Sequence, residues 1–161
     1  LDGVEFDAAY TSPLGRARRT ARILTEGKNV PIRIDGRLSE IRLGEFEGLT
    51  IGEIDERYPE QATYMRTRLE RFHPPGGETY LQVFERVKSF LDSIRERDGC
   101  FLVVAHAMTL TMMRLVMLGF GPWDMEGGPK IDNCTVCEAF FDAGRWTLMR
   151  YGEKPRAGMF R

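Results

Sequence analysis

The 161-residue sequence has few of the side chains from which proteins build metal and redox centres. It contains two histidines and three cysteines, and its formal net charge is −1. Because three is an odd number and a chain of this size needs no disulfides, we expect free thiols in a reducing cytoplasm. A net charge so close to zero gives no basis for binding nucleic acid or an anionic membrane. No apolar run is long enough to span a bilayer.

The rest of the composition is that of an ordinary globular domain. Hydrophobic residues make up 42% of the chain and charged residues 29%, and this length suits one domain with a single core. The first residue is Leu1 rather than Met. We therefore expect residues 1–161 to form one domain that is a piece of a longer protein or a processed product.

Hydrophobic periodicity and turn residues predict alternating strands and helices. Strands are predicted at 3–11, 30–34 and 100–105, followed by a hairpin at 131–141 and 145–151. Helices are predicted from Ser12–Pro13 to Gly27, from Thr50 to Pro59, over 60–71, from Thr79 to Gly99, and from the end of the third strand to Leu118. The intervening segments 35–50, 73–78 and 119–130 are predicted loops. This order predicts an α/β fold of three layers, with helices on both faces of a mostly parallel sheet and the hairpin at its C-terminal edge.

Two predicted strands end in polar residues at the edge where open α/β sheets bind ligands. The first ends at Thr11 and leads into a helix with Arg16 in its opening turn, and the third ends at His106 at the start of another helix. Helix starts attract anions, so the pattern predicts a phosphate or carboxylate pocket. Taken singly, His106 is more simply explained as a hydrogen-bonded helix-start residue, and Arg16 as one of several solvated arginines.

Two other motifs are poor candidates for binding sites. The C-x-x-C motif at 134–137 lies in a predicted strand, where residues three apart point to opposite faces, so we expect neither a disulfide nor a shared metal. We expect no metal and no cofactor. The arginine-rich helix 16–22 has no interleaved aromatic residues, so we expect no nucleic-acid partner.

Three motifs together resemble the histidine phosphatase superfamily, which has the phosphoglycerate mutase-like fold. The first motif follows the pattern Ser-Pro-Leu-x-Arg-Ala-x-x-Thr-Ala, at Ser12, Pro13, Leu14, Arg16, Ala17, Thr20 and Ala21. The second follows Leu-x-Glu-x-x-x-Gly-x-x-Glu-Gly, at Leu38, Glu40, Gly44, Glu47 and Gly48. The segment "PPGGET" and the motif "VVAHAMTL" around His106 resemble two further parts of the family pattern, so the likeness runs through the whole chain in order.

The resemblance implies a role for each matching residue. Arg16 is implied to clamp phosphate oxygens, and His106 to steady charge on the transferred group in the same pocket, beside Ala107. Glu40 is implied to protonate the leaving oxygen and then help to activate water; without the motif it would be taken as a surface carboxylate. Ala107 departs from the glycine usual in the family, and its methyl group is expected to crowd a phosphate that approaches the backbone.

The family's nucleophilic histidine lies in an Arg-His-Gly motif, which this sequence lacks. His73, the second histidine, lies in a proline-rich loop and is not a candidate. We therefore expect the nucleophile upstream of Leu1, on a first strand that is missing from this chain, and predict that this chain alone cannot form phosphohistidine. The other explanation is a genuinely truncated relative that completes its open sheet edge with a second copy as a homodimer.

The resemblance implies a phosphatase, when full length, that acts on a small phosphorylated metabolite through a phosphohistidine intermediate. The compact middle of the chain favours this over a phosphoglycerate mutase and suggests the alpha-ribazole phosphatase branch. A catalytically inactive module that binds a phosphorylated ligand or protein is the competing class. Segments 60–78 and 119–130 are expected to cover the pocket and to offer four substrate-contacting candidates: Tyr64, Arg66, Arg68 and Trp123.

Overall fold

The structure, a computed structural model, describes residue 1 and residues 3–125, 128–156 and 159. The strands are β1 (Ala8–Thr11), β2 (Ile32–Ile34), β3 (Phe101–Val104), β4 (Val136–Asp142) and β5 (Arg145–Glu153). The α-helices are α1 (Gly15–Leu24), α2 (Ile51–Arg57), α3 (Pro59–Thr67), α4 (Tyr80–Ile94) and α5 (Ala107–Leu118). Short 3-10 helices lie at Gly36–Leu38, Gly44–Phe46 and Leu69–Arg71.

The first three strands form a parallel sheet in the order β2-β1-β3. Every residue of β1 is buried, because this central strand is covered on both faces. On one face Tyr10 packs edge-on against Phe90 of α4; α1, with Ala17 and Ala21 buried, contacts all three strands. The predicted α/β fold with helices flanking a parallel sheet is confirmed.

The C-terminal hairpin lies elsewhere than predicted. Strands β4 and β5 pair with each other in a separate antiparallel sheet, and β5 packs against α5. Ala143 and Gly144 both have positive φ, as the tight turn between right-twisted strands requires. The prediction of a hairpin turn is confirmed, but its placement at the edge of the parallel sheet is wrong for the described residues.

Strand β3 is less buried than the sequence predicted. Its four apolar residues are all half-buried, whereas a run that is apolar on both faces is typical of a central strand. In the described part of the chain, β3 has a hydrogen-bonded neighbour only on its β1 side. The residues of β3 are therefore only half-buried because no strand pairs with the other edge of β3 in the described part of the chain.

Several predicted boundaries differ from the observed ones. The regular part of β1 begins at Ala8 and not at residue 3. Helix α1 begins at Gly15 and not at Ser12–Pro13, because the Ser12 amide still donates a hydrogen bond to the carbonyl oxygen of Val104 at 3.1 Å, as part of the sheet. Helix α4 ends at Ile94, well before Gly99. The chain then turns back into β3, and this turn is held by a 2.7 Å bond from the Cys100 amide to Asp7 Oδ2.

The helix starts predicted at Thr50 and Thr79 are confirmed, whereas the start predicted at Ser12–Pro13 is wrong because the N-cap of α1 is Leu14. Thr50 and Glu53 form a reciprocal capping box on α2, and Thr79 and Gln82 form another on α4. Such a box satisfies two backbone amides that have no partner within the helix. Pro59 both follows the end of α2 and opens α3, where proline suits the first helical position.

The main core lies between α4 and α5. Val83, Val87 and Phe90 are fully buried along one face of α4, and Met112 and Leu115 of α5 are equally buried. None of the helices in the described ranges has both the length and the apolar character needed to cross a membrane.

The C-x-x-C motif does not lie wholly in a strand. Cys134 precedes β4 and has a positive φ, and Cys137 lies within β4. Both thiols are free in this structure, as is that of Cys100.

Candidate active site

The two residues on which the sequence prediction depended lie side by side. Arg16 Nε donates a hydrogen bond to His106 Nδ1 at 3.3 Å. Arg16 is the second residue of α1, and His106 immediately precedes α5. Both helices start at the carboxyl edge of the parallel sheet, so the structure supports the predicted convergence.

The strand register explains this convergence. Thr11 pairs with Val104, so β1 and β3 end level with each other. Each strand then leads directly into a helix, and the Ser12 and His106 side chains meet, with Oγ and Nε2 2.8 Å apart. Two helix N-termini thus lie near one point, an arrangement that suits an anion.

The environment of His106 disfavours its charged form. The side chain is 8% exposed, and this burial lowers the pKa of the imidazole below its usual range, with a further lowering by the nearby Arg16 guanidinium. The Glu40 carboxylate acts in the opposite direction, and Arg86 adds a smaller lowering. A bound anion would reverse this balance, because negative charge favours the imidazolium.

Glu40 reaches the same place from the loop after the first 3-10 helix. Its Oε1 accepts a hydrogen bond from the Ile41 amide at 3.0 Å, and its Oε2 accepts one from the Met108 amide at 3.3 Å. Met108 lies in the first turn of α5, where a carboxylate is favoured by the helix dipole. Glu40 therefore lies beside His106, as the sequence motif predicted.

A second carboxylate holds the loop that carries Glu40. Glu78 is 8% exposed, and it accepts hydrogen bonds from the Arg42 amide and from Arg86 Nε, both at 3.0 Å. The Glu78 amide in turn donates to the carbonyl oxygen of Arg42 at 2.8 Å. A buried carboxylate satisfied in this way is costly to disturb, so the pair of loops is fixed relative to α4.

The backbones of these two loops touch. Gly44 has a positive φ, and a Cβ there would overlap the carbonyl oxygen of Pro75. A Cβ on Gly77 would come within 2.6 Å of the carbonyl oxygen of Arg42. Only glycine permits this approach at both positions, so the glycines of the sequence motifs serve the placement of Glu40.

Arg16 keeps most of its hydrogen-bonding capacity. In the ranges described, only its Nε has a partner, which leaves the remaining donors of the guanidinium for a ligand. A planar guanidinium matches phosphate and carboxylate oxygens with paired donors. Arg18, Arg19 and Arg22 lie exposed on the same helix, as expected.

The other candidate residues are placed less decisively. Ala107 is the exposed first residue of α5, and its phosphate contact stays a prediction. Arg66 is bonded to Asp55 at 2.6 Å, and the Tyr64 hydroxyl donates to Glu60. Arg68 and Trp123 are exposed. The predicted cover segment 119–130 includes residues 126–127, which lie outside the described residues.

Fold and site together define an α/β protein with a guanidinium–imidazole pair at the carboxyl edge of its parallel sheet. The chain belongs to the histidine phosphatase superfamily (branch 1), whose pattern matches residues 1–154.

Curated relatives include phosphoserine phosphatase 1 of Hydrogenobacter thermophilus, 33% identical over 121 residues that cover 74% of this chain and 57% of that protein. The probable phosphoglycerate mutase GpmB of Escherichia fergusonii is 28% identical over 138 residues, which cover 84% of this chain and 64% of that protein. The chain thus spans less than two thirds of the length of these relatives.

Solved structures agree with the fold. YhfR of Bacillus stearothermophilus superposes with a TM-score of 0.88 at 29% identity, covering 96% of this chain and 78% of that chain. A putative alpha-ribazole-5'-P phosphatase of Escherichia coli has a TM-score of 0.85 over 97% of this chain and 78% of that chain, and its 22% identity shows the fold alone.

Two features of the site were not found from the sequence. The sequence indicates Ser12 only as a helix start and a residue of the first motif, yet its hydroxyl contacts His106. Glu78 and Arg86 form the ion pair that fixes the Glu40 loop. The two residues lie on either side of the start of α4, and nothing in their sequence spacing predicts that they pair.

Proposed function

We propose that the protein, at full length, hydrolyses a small phosphomonoester through a phosphohistidine intermediate. The observation that carries this proposal is the contact between Arg16 and His106 at the carboxyl edge of the sheet. Phosphoryl transfer depends mainly on positioning and on compensation of negative charge, and this pair supplies both beside two helix starts.

The named relatives support a phosphatase more than a mutase. One curated relative is named a phosphoserine phosphatase and another a probable phosphoglycerate mutase, the former at higher identity. The substrates in these names are phosphate esters of small molecules, which is the substrate class proposed here.

The proposed reaction has two balanced steps. An imidazole nitrogen from a segment upstream of Leu1 attacks phosphorus, the bond from phosphorus to the leaving oxygen breaks, and Glu40 gives its proton to that oxygen. Water then attacks the phosphohistidine, Glu40 takes the proton from the water, and the bond from phosphorus to nitrogen breaks to release inorganic phosphate. Arg16 and His106 hold the equatorial oxygens throughout.

The nucleophile is assigned upstream because neither histidine of this chain suits the part. His106 has both ring nitrogens engaged, by Arg16 and by Ser12. His73 is exposed, and its amide is bonded to Gln61 in α3. We accordingly propose that the 161-residue chain by itself binds phosphate without turning over an ester.

The test is hydrolysis of an aryl phosphate by the full-length protein, with an alkaline quench to trap a base-stable, acid-labile phosphoenzyme. The proposal predicts turnover and a phosphohistidine on an upstream residue. Binding of inorganic phosphate without turnover would instead support an inactive binding module. This module is the second candidate because both ring nitrogens of His106 are engaged in this chain. Transfer of phosphate within phosphoglycerate, without net hydrolysis, would support the mutase.

A further inference from the structure

The hydroxyl of Ser12 lies against the imidazole of His106 at the edge of the sheet. Ser12 Oγ and His106 Nε2 are 2.8 Å apart, although the two residues are 94 positions apart in the sequence. Ser12 is fully buried, so water does not compete for this contact. The same oxygen also accepts a hydrogen bond from the Leu14 amide at 3.2 Å.

The opposite nitrogen of the ring determines the direction of this bond. A guanidinium N–H only donates, so His106 Nδ1 must accept the bond from Arg16 Nε. A neutral imidazole carries one hydrogen, which then lies on Nε2 and is donated to Ser12 Oγ. The two acceptor sites of the Ser12 oxygen are thus taken by His106 and by Leu14.

We infer that Ser12 is a positioning residue that fixes His106 as the Nε2–H tautomer and leaves Nδ1, which faces Arg16, as the nitrogen that takes up a proton when a phosphate anion binds. Its part in turnover rests on the proposed function; the tautomer does not. On binding, the Arg16 guanidinium turns its donors to the anion, a proton from solvent adds to Nδ1, and Nε2 keeps its hydrogen and its bond to Ser12.

The charges around His106 agree with this sequence of events. Arg16 from α1 and Arg86 from α4 oppose protonation, and Glu40 from its loop favours it. Without a ligand, burial and the two cations keep the imidazole neutral, because its pKa is lowered. A phosphate between Arg16 and His106 adds negative charge on the Nδ1 side, where the proton is expected.

Imidazole nitrogen NMR tests the tautomer directly, because the chain has only two histidines and the exposed His73 serves as an internal reference. In the ligand-free protein at a pH where both rings are neutral, we expect a pyridine-type Nδ1 and a pyrrole-type Nε2 for His106. We also expect its Nε2-bound proton to exchange slowly with water, unlike that of His73. A pyridine-type Nε2, or a rapidly exchanging proton, would overturn the assignment.

Two variants separate the role of Ser12 from general loss of structure. Ser12→Ala should lose the protected Nε2–H signal and admit the second tautomer. Thr11→Val removes the neighbouring buried hydroxyl, which bonds to a backbone oxygen, and should leave the His106 spectrum unchanged. Should Ser12→Ala not fold, Ser12→Cys, a weaker acceptor, must speed exchange of the same proton. Retention of the protected signal in a folded Ser12→Ala protein contradicts the inference.

Inorganic phosphate tests the proton uptake. Saturating phosphate should raise the pH midpoint of His106 by about one unit or more. An unmoved His106 midpoint with phosphate bound would refute the uptake. Complete failure of phosphate to bind would count against the proposed function, while the tautomer is judged from the ligand-free spectra.

In the full-length protein, Ser12→Ala should lower kcat about tenfold to a hundredfold with little change in KM, the size typical of a residue that orients a working side chain. The alkaline limb of its pH–rate profile should also shift, because loss of the bond at Nε2 changes the protonation of His106. An unchanged profile with reduced kcat would indicate a purely structural role.

Discussion

Arg16 Nε and His106 Nδ1 are 3.3 Å apart although 90 positions separate the two residues in the sequence. The parallel register of β1 and β3 brings them together. Because each side chain begins a helix at the same edge of the sheet, a single anion can contact both. The following predictions examine the parts of this arrangement separately.

Replacing Arg16 should abolish most of the phosphate chemistry. In the full-length protein, Arg16→Ala is expected to reduce kcat/KM about 10²- to 10³-fold, the loss typical of one placed donor in a site for developing negative charge. Arg18→Ala removes an exposed arginine of the same helix and should stay within about twofold of the parent, since the Arg18 side chain makes no hydrogen bond or ion pair with the described residues. Equal losses in the two variants would mean that the helix contributes only general positive charge.

Replacing Glu40 should affect proton transfer more than binding. Glu40→Gln keeps the size of the side chain and should lower kcat about 10²- to 10⁴-fold for alkyl phosphates, because the leaving alkoxide then has no proton donor. Aryl phosphates, whose leaving groups need less protonation, should lose much less. Glu47→Gln, in the exposed part of the same motif, is the matched control. A uniform loss for both classes of ester would contradict the assigned role.

The lowered pKa of His106 predicts a specific pH dependence of stability. An unfolded histidine titrates near pH 6.5, and burial lowers the pKa in the folded chain, so the unfolded chain binds the proton more tightly. The contribution of His106 is therefore complete above about pH 6.5 and is lost as pH falls below that value. The free energy of unfolding of the parent relative to that of His106→Gln, both measured with urea, should stay constant above about pH 6.5 and should fall as the pH drops below that value.

The contact between the two loops should tolerate no side chain at Gly44. Gly44→Ala is expected to destabilise the fold by at least about 2 kcal/mol, from the left-handed backbone conformation and from overlap with Pro75. Gly52 in α2 has no heavy atom within 4 Å of its would-be Cβ. Gly52→Ala should therefore leave stability unchanged or raise it by about 0.5–1 kcal/mol. Thermal unfolding of both variants checks this contrast.

Local sequence signals predicted the elements and two of the site residues. The capping boxes at Thr50 and Thr79 located helix starts, because capping depends only on residues within one turn. Arg16 and His106 were predicted to converge because parallel strands share a carboxyl edge. The family motifs also place Arg16 and His106 in one phosphate pocket. Glu40 was predicted from its family motif alone.

Features that depend on the packing of particular elements or on the exact strand register were not predictable. The early end of α4 reflects the path back to Asp7, and the separate hairpin reflects packing of β5 on α5. The contact of Ser12 with His106 needs the strand register to within one residue. No local pattern contains this information.

The most direct measurement is a crystal structure of the full-length protein with orthovanadate, a mimic of phosphate in transfer. We predict vanadate oxygens within hydrogen-bonding distance of both the Arg16 guanidinium and His106 Nδ1, with the Glu40 carboxyl facing the leaving position. Vanadate bound elsewhere, or bound with Arg16 and His106 still paired to each other, would contradict this account.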